Sequence, residues 1–385
     1  MTVPTTSATR VDESIWKGVR NLLDDYIKVR EDDTFVIAYT PDSRESAAWI
    51  ALVLRQRGFV PPTVAMRPLQ DATFADRLDA ALPTLDDLPG RLVVITVEQS
   101  TMSHFGILRR RYERYPEGRC LILRIISAGQ DFFAKSMNLT PEYLSSANAE
   151  LLSRLKEARS IRIETRGGTD LRVTLAPDKY RWVSNRGASR PRSFTILPAG
   201  EIATYPESVT GVLVADGAFN ANIFTQHDSR LGESPVRVEL KDGEVVSYSC
   251  SNERTSELVR LCFARPHGSN IGELGFGTNA GIDDFIPMNS HINERRPGVH
   301  IGFGQHNQSV KVIPYLAETH LDLITSGARI WVDGDTEPVD LENVVPSGLV
   351  HPDDVIDEDL DGDCCGFEIG ELRALACQVP DLTKR

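Results

Sequence analysis

The stretch Thr34-Phe-Val-Ile-Ala-Tyr-Thr-Pro-Asp-Ser-Arg-Glu-Ser-Ala-Ala-Trp-Ile-Ala-Leu-Val-Leu54 decides how the first half of the chain is read. It opens with a β-branched and aromatic run of strand length that stops at Pro41. Asp42 or Ser43 then offers a side-chain oxygen to the open N–H groups of a helix, and Ala47, Ile50, Ala51 and Leu54 recur at helical spacing. A strand running into an amphipathic helix is half of a βαβ unit. Further along, Arg91-Leu-Val-Val-Ile-Thr-Val97 and Cys120-Leu-Ile-Leu-Arg-Ile-Ile126 repeat the strand pattern, and Pro141 to Glu157 reads as a helix. After a flexible N-terminus over 1–12, the alternation predicts an α/β domain with a mostly parallel sheet over 13–158. None of these strands is followed by a Gly-x-Gly-x-x-Gly turn or a Gly-x-x-x-x-Gly-Lys loop, so this half reads as scaffold or lid rather than as a nucleotide site.

Beyond Ala158 the texture changes to short alternating strands: Ser160 to Thr165, Leu171 to Leu175, Val209 to Asp216, Val236 to Leu240 and Val245 to Tyr248. Lys241-Asp-Gly-Glu244 joins the last two, and Asp-Gly supplies the positive φ angles of a tight hairpin turn. Residues 159–345 are therefore expected to form a β-rich α+β domain, and 346–385 an acidic loop with a C-terminal helix.

The full chain has 385 residues, 41% hydrophobic and 25% charged, which suits two globular domains. Its net charge of −13, from 55 acids against 42 bases, repels phosphate backbones and anionic membrane surfaces, so neither nucleic acid nor membrane is an expected partner. The start of the chain lacks the basic residues and apolar run of a signal peptide, and a cytosolic location is expected. The six cysteines form no Cys-x-x-Cys pair and read as free thiols.

Chemistry concentrates in four glycine-flanked segments of the second half. They are Pro198-Ala-Gly-Glu201, Ile271-Gly-Glu-Leu-Gly-Phe-Gly-Thr-Asn279, Gly298-Val-His-Ile-Gly-Phe-Gly304 and His320-Leu-Asp322. In a strand, residues two apart share a face, so His320 and Asp322 present an imidazole and a carboxylate to one point. That donor pair suits zinc, cobalt, manganese or ferrous iron, and the absence of a thiolate motif argues against a structural zinc cluster. His291 and His306 sit in polar stretches and read as solvated.

Taken in order, the four segments resemble the aminopeptidase T family of metallopeptidases over most of residues 160 to 335. The resemblance implies a two-domain, commonly dimeric hydrolase of peptides or amides with a metal pair in its C-terminal domain. Carried over residue by residue, it implies Glu201, Glu273, His300, His320 and Asp322 as metal ligands, with Glu201 or Glu273 alternatively serving as the base. Glu294 is a sixth candidate, at a shortened distance from His300 and separated from it by an unexpected Arg-Arg-Pro.

The same superfamily is similar to the 2,5-dihydroxypyridine dioxygenases, which use one ferrous ion held by two histidines and an aspartate. His267 lies 53 residues before His320, the spacing such a site implies, and His267, His320 and Asp322 would leave open positions for oxygen and substrate. The glycine-rich run instead aligns Glu273 with that position, which favours an acid-rich metal pair. A third reading keeps the fold as a peptide- or small-molecule-binding protein without catalysis. Outside the resemblance, Asp357, Asp359, Asp361 and Glu368 match the oxygen positions of an EF-hand calcium loop, although an acidic loop before a helix explains the same residues.

Overall fold

A computed structural model describes residues 12–190 and 193–357. The first sheet runs β2-β1-β3-β4-β8 and is parallel throughout: β1 (Thr34–Tyr39), β2 (Thr63–Ala65), β3 (Leu92–Val97), β4 (Cys120–Ile125) and β8 (Phe194–Leu197). Around it lie α1 (Glu13–Asn21), α2 (Arg44–Gln56), α3 (Phe74–Ala81), α4 (Phe105–Tyr112) and α5 (Pro141–Leu155). β3 and β4 are buried along their whole length, as parallel strands covered on both faces must be. Thr140 caps α5 by accepting the Tyr143 N–H, with Pro141 in the first turn where no N–H is needed.

The expected boundary at 158 does not hold for this sheet, because its last strand, β8, comes from the second half of the sequence. Phe194-Thr-Ile-Leu197 is too short to announce its sheet, and its four buried residues fit the covered edge beside β4 as well as any sandwich position.

The rest forms two seven-stranded sheets. One has the order β13-β12-β10-β6-β5-β17-β18, from β5 (Ser160–Glu164), β6 (Asp170–Thr174), β10 (Ser208–Ala215), β12 (Val236–Lys241), β13 (Glu244–Ser249), β17 (Arg329–Val332) and β18 (Val339–Asp340). The expected hairpin joins β12 to β13, with Asp242 at φ 53° and Gly243 at φ 84°. The other has the order β11-β16-β15-β14-β9-β7-β19, from β7 (Val183–Asn185), β9 (Glu201–Thr204), β11 (Ala218–Ala221), β14 (Ile271–Gly277), β15 (Gly298–Gly304), β16 (His320–Ile324) and β19 (Ile356–Asp357).

One apolar core holds the sandwich together, with Ile161, Ile163, Leu171, Val209 and Val238 of the first sheet and Ile202, Leu274, Phe276, Ile301 and Leu321 of the second. Each such side chain contributes on the order of 2 kcal/mol through burial. Two helices complete this half: α6 (Glu253–Phe263), whose Leu258, Val259 and Cys262 join that core, and the short α7 (His291–Arg295), whose Ile292 packs into the core of the α/β half. Among the described residues no helix is long and apolar enough to cross a membrane.

Candidate metal centre

Alternation along four neighbouring strands builds the site. In β15, Val299, Ile301 and Phe303 enter the sandwich core, which turns His300 and Gly302 to the opposite face. In the same way Leu274 and Phe276 leave Glu273 and Gly275 outward on β14, Ile202 leaves Glu201 on β9, and Leu321 and Leu323 leave His320 and Asp322 on β16. Antiparallel register aligns the outward residues, since Gly302 pairs with both Glu273 and Asp322, and Gly275 pairs with His300. The five predicted side chains thus meet on one face, between 0% and 6% exposed.

The two glycines are required by space. A Cβ at position 302 would stand 2.8 Å from Glu273 Cβ and 2.9 Å from both Asp322 Oδ1 and His320 Cε1, and one at position 275 would collide with the His300 ring. Gly275 and Gly302 therefore form a floor over which functional side chains of adjacent strands lean together.

One donor atom each from Glu273, His320 and Asp322 lies within 4.8 Å of the others, and the same is true of Glu201, Glu273 and His300. Glu273 is common to both trios. His320 Nε2 is 3.0 Å from Asp322 Oδ2, and His300 Nε2 is 2.9 Å from Glu201 Oε1 and 3.5 Å from Glu273 Oε1. The other ring nitrogen of His320, Nδ1, lies 2.8 Å from the Gln305 carbonyl oxygen. In the neutral ring that contact holds the proton on Nδ1 and leaves the Nε2 lone pair for a ligand.

Five buried atoms make no hydrogen bond of good geometry: Glu201 Oε1, His300 Nδ1 and Nε2, His320 Nε2 and Asp322 Oδ1. Protein interiors rarely tolerate such a concentration, and a bound ion is a common resolution. Oxygen and imidazole donors with no thiolate fit a divalent metal of the zinc, cobalt, manganese or ferrous class.

Burial lowers the affinity of both imidazoles for a proton, but Glu201 and Glu273 beside His300, and Asp322 beside His320, outweigh it and hold both rings well above their ordinary value. Burial pushes the Glu273 carboxyl up. Glu201 is also buried, yet Arg295 and His300 keep it below the usual carboxylate range.

The helix α7 lies over this face and adds two residues. Glu294 Oε1 accepts from Asn220 Nδ2, and Glu294 Oε2 accepts from Arg295 Nη1 at 3.1 Å. The same Nη1 donates to Glu201 Oε2, and Arg295 Nε donates to the Pro198 carbonyl at 3.2 Å. Burial and the nearby Asp322 carboxylate drive the Glu294 carboxyl well above its ordinary value.

A cleft opens onto His320 between the two halves. Gln99 and Ser127, just past the carboxyl ends of β3 and β4, line one side, and Asn222, Phe224 and Asn289 line the other. Ligands of parallel sheets commonly sit at those strand ends. The turn that carries Gln99 is fixed by a buried ion pair. Arg124 Nη2 donates to Glu98 Oε1 at 2.7 Å and to the Ser103 carbonyl at 2.6 Å, and Glu98 Oε2 accepts the Ser103 N–H.

Comparison with known proteins bears on this arrangement. A family model described as crocagin biosynthetic protein CgnE/B matches residues 208–330, a span that includes Glu273, Glu294, Arg295, His300, His320 and Asp322 but not Glu201. No curated protein sequence matches the chain. Among solved structures, 2,5-dihydroxypyridine dioxygenase from Pseudomonas putida KT2440 superposes with a TM-score of 0.56 at 15% identity, covering 89% of this chain and 97% of its own. Wild-type AmpT from Thermus thermophilus superposes with a TM-score of 0.54 at 14% identity, covering 86% of this chain and 99% of its own. At these identities the likeness is one of fold. It does not choose between the two chemistries.

His267 stands apart from the cluster. It occupies an exposed turn at φ 59°, its ring stacked on Tyr315 with centroids 4.4 Å apart, and it belongs to neither donor trio. Neither trio contains two histidines. The solvated reading of His306 is corrected, because that ring is fully buried, with Nε2 2.8 Å from the Tyr315 carbonyl and Nδ1 accepting the Gln308 N–H. His291 lines the cleft.

Arg295 and Asn220 were not singled out from the sequence, since a buried arginine inside Arg-Arg-Pro looks like any surface pair. Arg295 carries one signal, its place next to Glu294, whereas Asn220, 74 residues away, carries none. Of the calcium-loop residues, Asp359, Asp361 and Glu368 lie outside the described residues, as does the expected C-terminal helix, while Asp357 ends β19.

Proposed function

We propose that this chain is a metal-dependent hydrolase acting on a peptide or amide bond, with the ion held by Glu273, His320 and Asp322. The carrying observation is His320. Its Nδ1 is tied to Gln305, its Nε2 is buried without a hydrogen-bond partner beside Asp322, and its ring borders the cleft. When bound, such an ion polarises a carbonyl oxygen and makes a water more acidic.

The remaining groups are placed to handle a proton and a substrate. Glu201 is kept ionised by its neighbours while its Oε1 faces His300 Nε2, so this pair can take up and return a proton at the His300 ring. The cleft walls combine the amides of Gln99, Asn222 and Asn289 with the apolar Phe224 and Met102, which suits an uncharged backbone segment with an apolar side chain.

The hydrolase reading is preferred to ring cleavage by iron because each donor trio supplies two carboxylates and one histidine, whereas a facial triad takes two histidines and one carboxylate. The test is anaerobic purification, elemental analysis and turnover of a panel of blocked and free peptides. Bound zinc, cobalt or manganese with peptide cleavage that disappears in His320→Ala supports the proposal. Ferrous iron with oxygen consumption on a dihydroxylated ring, or retention of the metal by a His320→Ala, Asp322→Ala double variant, overturns it.

A further inference from the structure

The two trios that share Glu273 are not equally open to a cation, and the difference lies in α7. Arg295 is 1% exposed, and its guanidinium stays charged in any protein environment. It donates to Glu201 Oε2 and to Glu294 Oε2, so one fixed positive charge already joins the two carboxylates on that side. Both Glu294 oxygens are already engaged, Oε1 by Asn220 Nδ2 and Oε2 by Arg295. Orphaned donor atoms occur on both sides, but Glu201 Oε1 belongs to a carboxylate that Arg295 already holds, whereas Asp322 Oδ1 and His320 Nε2 make no well-formed hydrogen bond and have no arginine on them, and Glu273 keeps Oε1 while its Oε2 accepts from Asn307 Nδ2 at 3.0 Å.

We propose that Arg295 stands in place of a second metal ion, so that the chain binds a single divalent cation at Glu273, His320 and Asp322 and the Glu201 side is closed to metal. The inference rests on the metal reading above and gives the reason why the acid-rich pair expected from the sequence becomes one ion beside a built-in cation. A dication on Glu201 would sit next to a guanidinium already bonded to the same carboxylate, and like charges in a buried site repel strongly. The four carboxylates Glu201, Glu273, Glu294 and Asp322 are then shared between Arg295 and one ion, which explains why a short helix is laid over this face.

The experiment is equilibrium dialysis of the full chain against zinc and cobalt, with metal content measured directly and the cobalt absorption spectrum recorded. One equivalent on the wild type, rising to two in Arg295→Met, is the expected result. Two equivalents on the wild type, or one on a folded Arg295→Met, overturns the proposal while leaving the metal reading intact. Should Arg295→Met fail to fold, Glu201→Gln decides the matter. An unchanged single equivalent and cobalt spectrum supports the proposal, and loss of the ion overturns it. No ion on the wild type or on either variant removes the metal reading itself and the inference with it.

Discussion

Replacing Gly302 with alanine separates the folding of the sandwich from the assembly of the site. The added Cβ would lie 2.8 Å from Glu273 Cβ and 2.9 Å from Asp322 Oδ1 and His320 Cε1, three of the groups that must converge on one ion. Restoring ordinary contact near ~3.4 Å moves each of them by roughly 0.5 Å, beyond the tolerance of about 0.2 Å that a metal–ligand distance allows. The same change removes a glycine from a strand interior, a gain of about 0.5–1 kcal/mol, against an overpacking cost of about 1–3 kcal/mol. The metal-free protein is therefore expected to lose only ~1–2 kcal/mol of stability, while affinity for zinc falls at least about tenfold, near 1.4 kcal/mol. Calorimetric zinc titration alongside urea unfolding of the metal-free form measures both. Gly232→Ala is the control, since its Cβ would meet nothing closer than the Asp216 carbonyl at 3.8 Å, and it is expected to change neither quantity. Wild-type affinity in a folded Gly302→Ala would refute the argument that these three groups share one ion.

Three further outcomes follow from the same geometry. His300 and His320 hold protons well above the ordinary imidazole value, and the ion must displace the one on His320; zinc affinity should rise as pH goes from about 6 to 8, with proton release seen in titrations across buffers of different ionisation enthalpy. In the metal-free protein these rings stabilise the fold fully below their unfolded value of roughly 6.5, and that stabilisation fades as pH rises through the folded values. Constant affinity without proton release would count against imidazole ligation. Arg124→Met leaves the Glu98 carboxylate buried without its partner and should cost about 3–5 kcal/mol in urea unfolding, with much of it recovered in the Arg124→Met, Glu98→Gln double variant. Gly243→Val forces a β-branched residue to the positive φ of the hairpin turn and should cost at least about 1–2 kcal/mol, with metal content unchanged.

Much of this arrangement was legible in the chain. The alternation in Val236-Arg-Val-Glu-Leu240 and the Asp242-Gly243 turn specify a hairpin locally, and the structure has it. The i, i+2 relation of His320 and Asp322 needs only a strand, and β16 supplies one. The convergence of Glu201, Glu273 and His300 on the same face was visible only through the order of the four segments, because register between strands is set by contacts distant in sequence. What stayed hidden depends on partners rather than on residue type. β8 is four residues whose sheet is chosen by β4, and the burial of Arg124 and Arg295 is explained by Glu98, Glu201 and Glu294, none of which lies at a spacing that would mark the pair beforehand, save Glu294 as the neighbour of Arg295.

One passage from the parallel sheet to the sandwich is made by Pro198-Ala-Gly200, with β8 ending at Leu197 and Glu201 opening β9. Asn279 Nδ2 binds the Ala199 carbonyl at 3.0 Å, and Asn148 of α5 binds the Glu201 carbonyl at 2.9 Å, so this crossing has little slack. Glu201 therefore stands at a short, tightly bonded join between the two halves that line the cleft, so the carboxylate facing His300 takes its position from both of them.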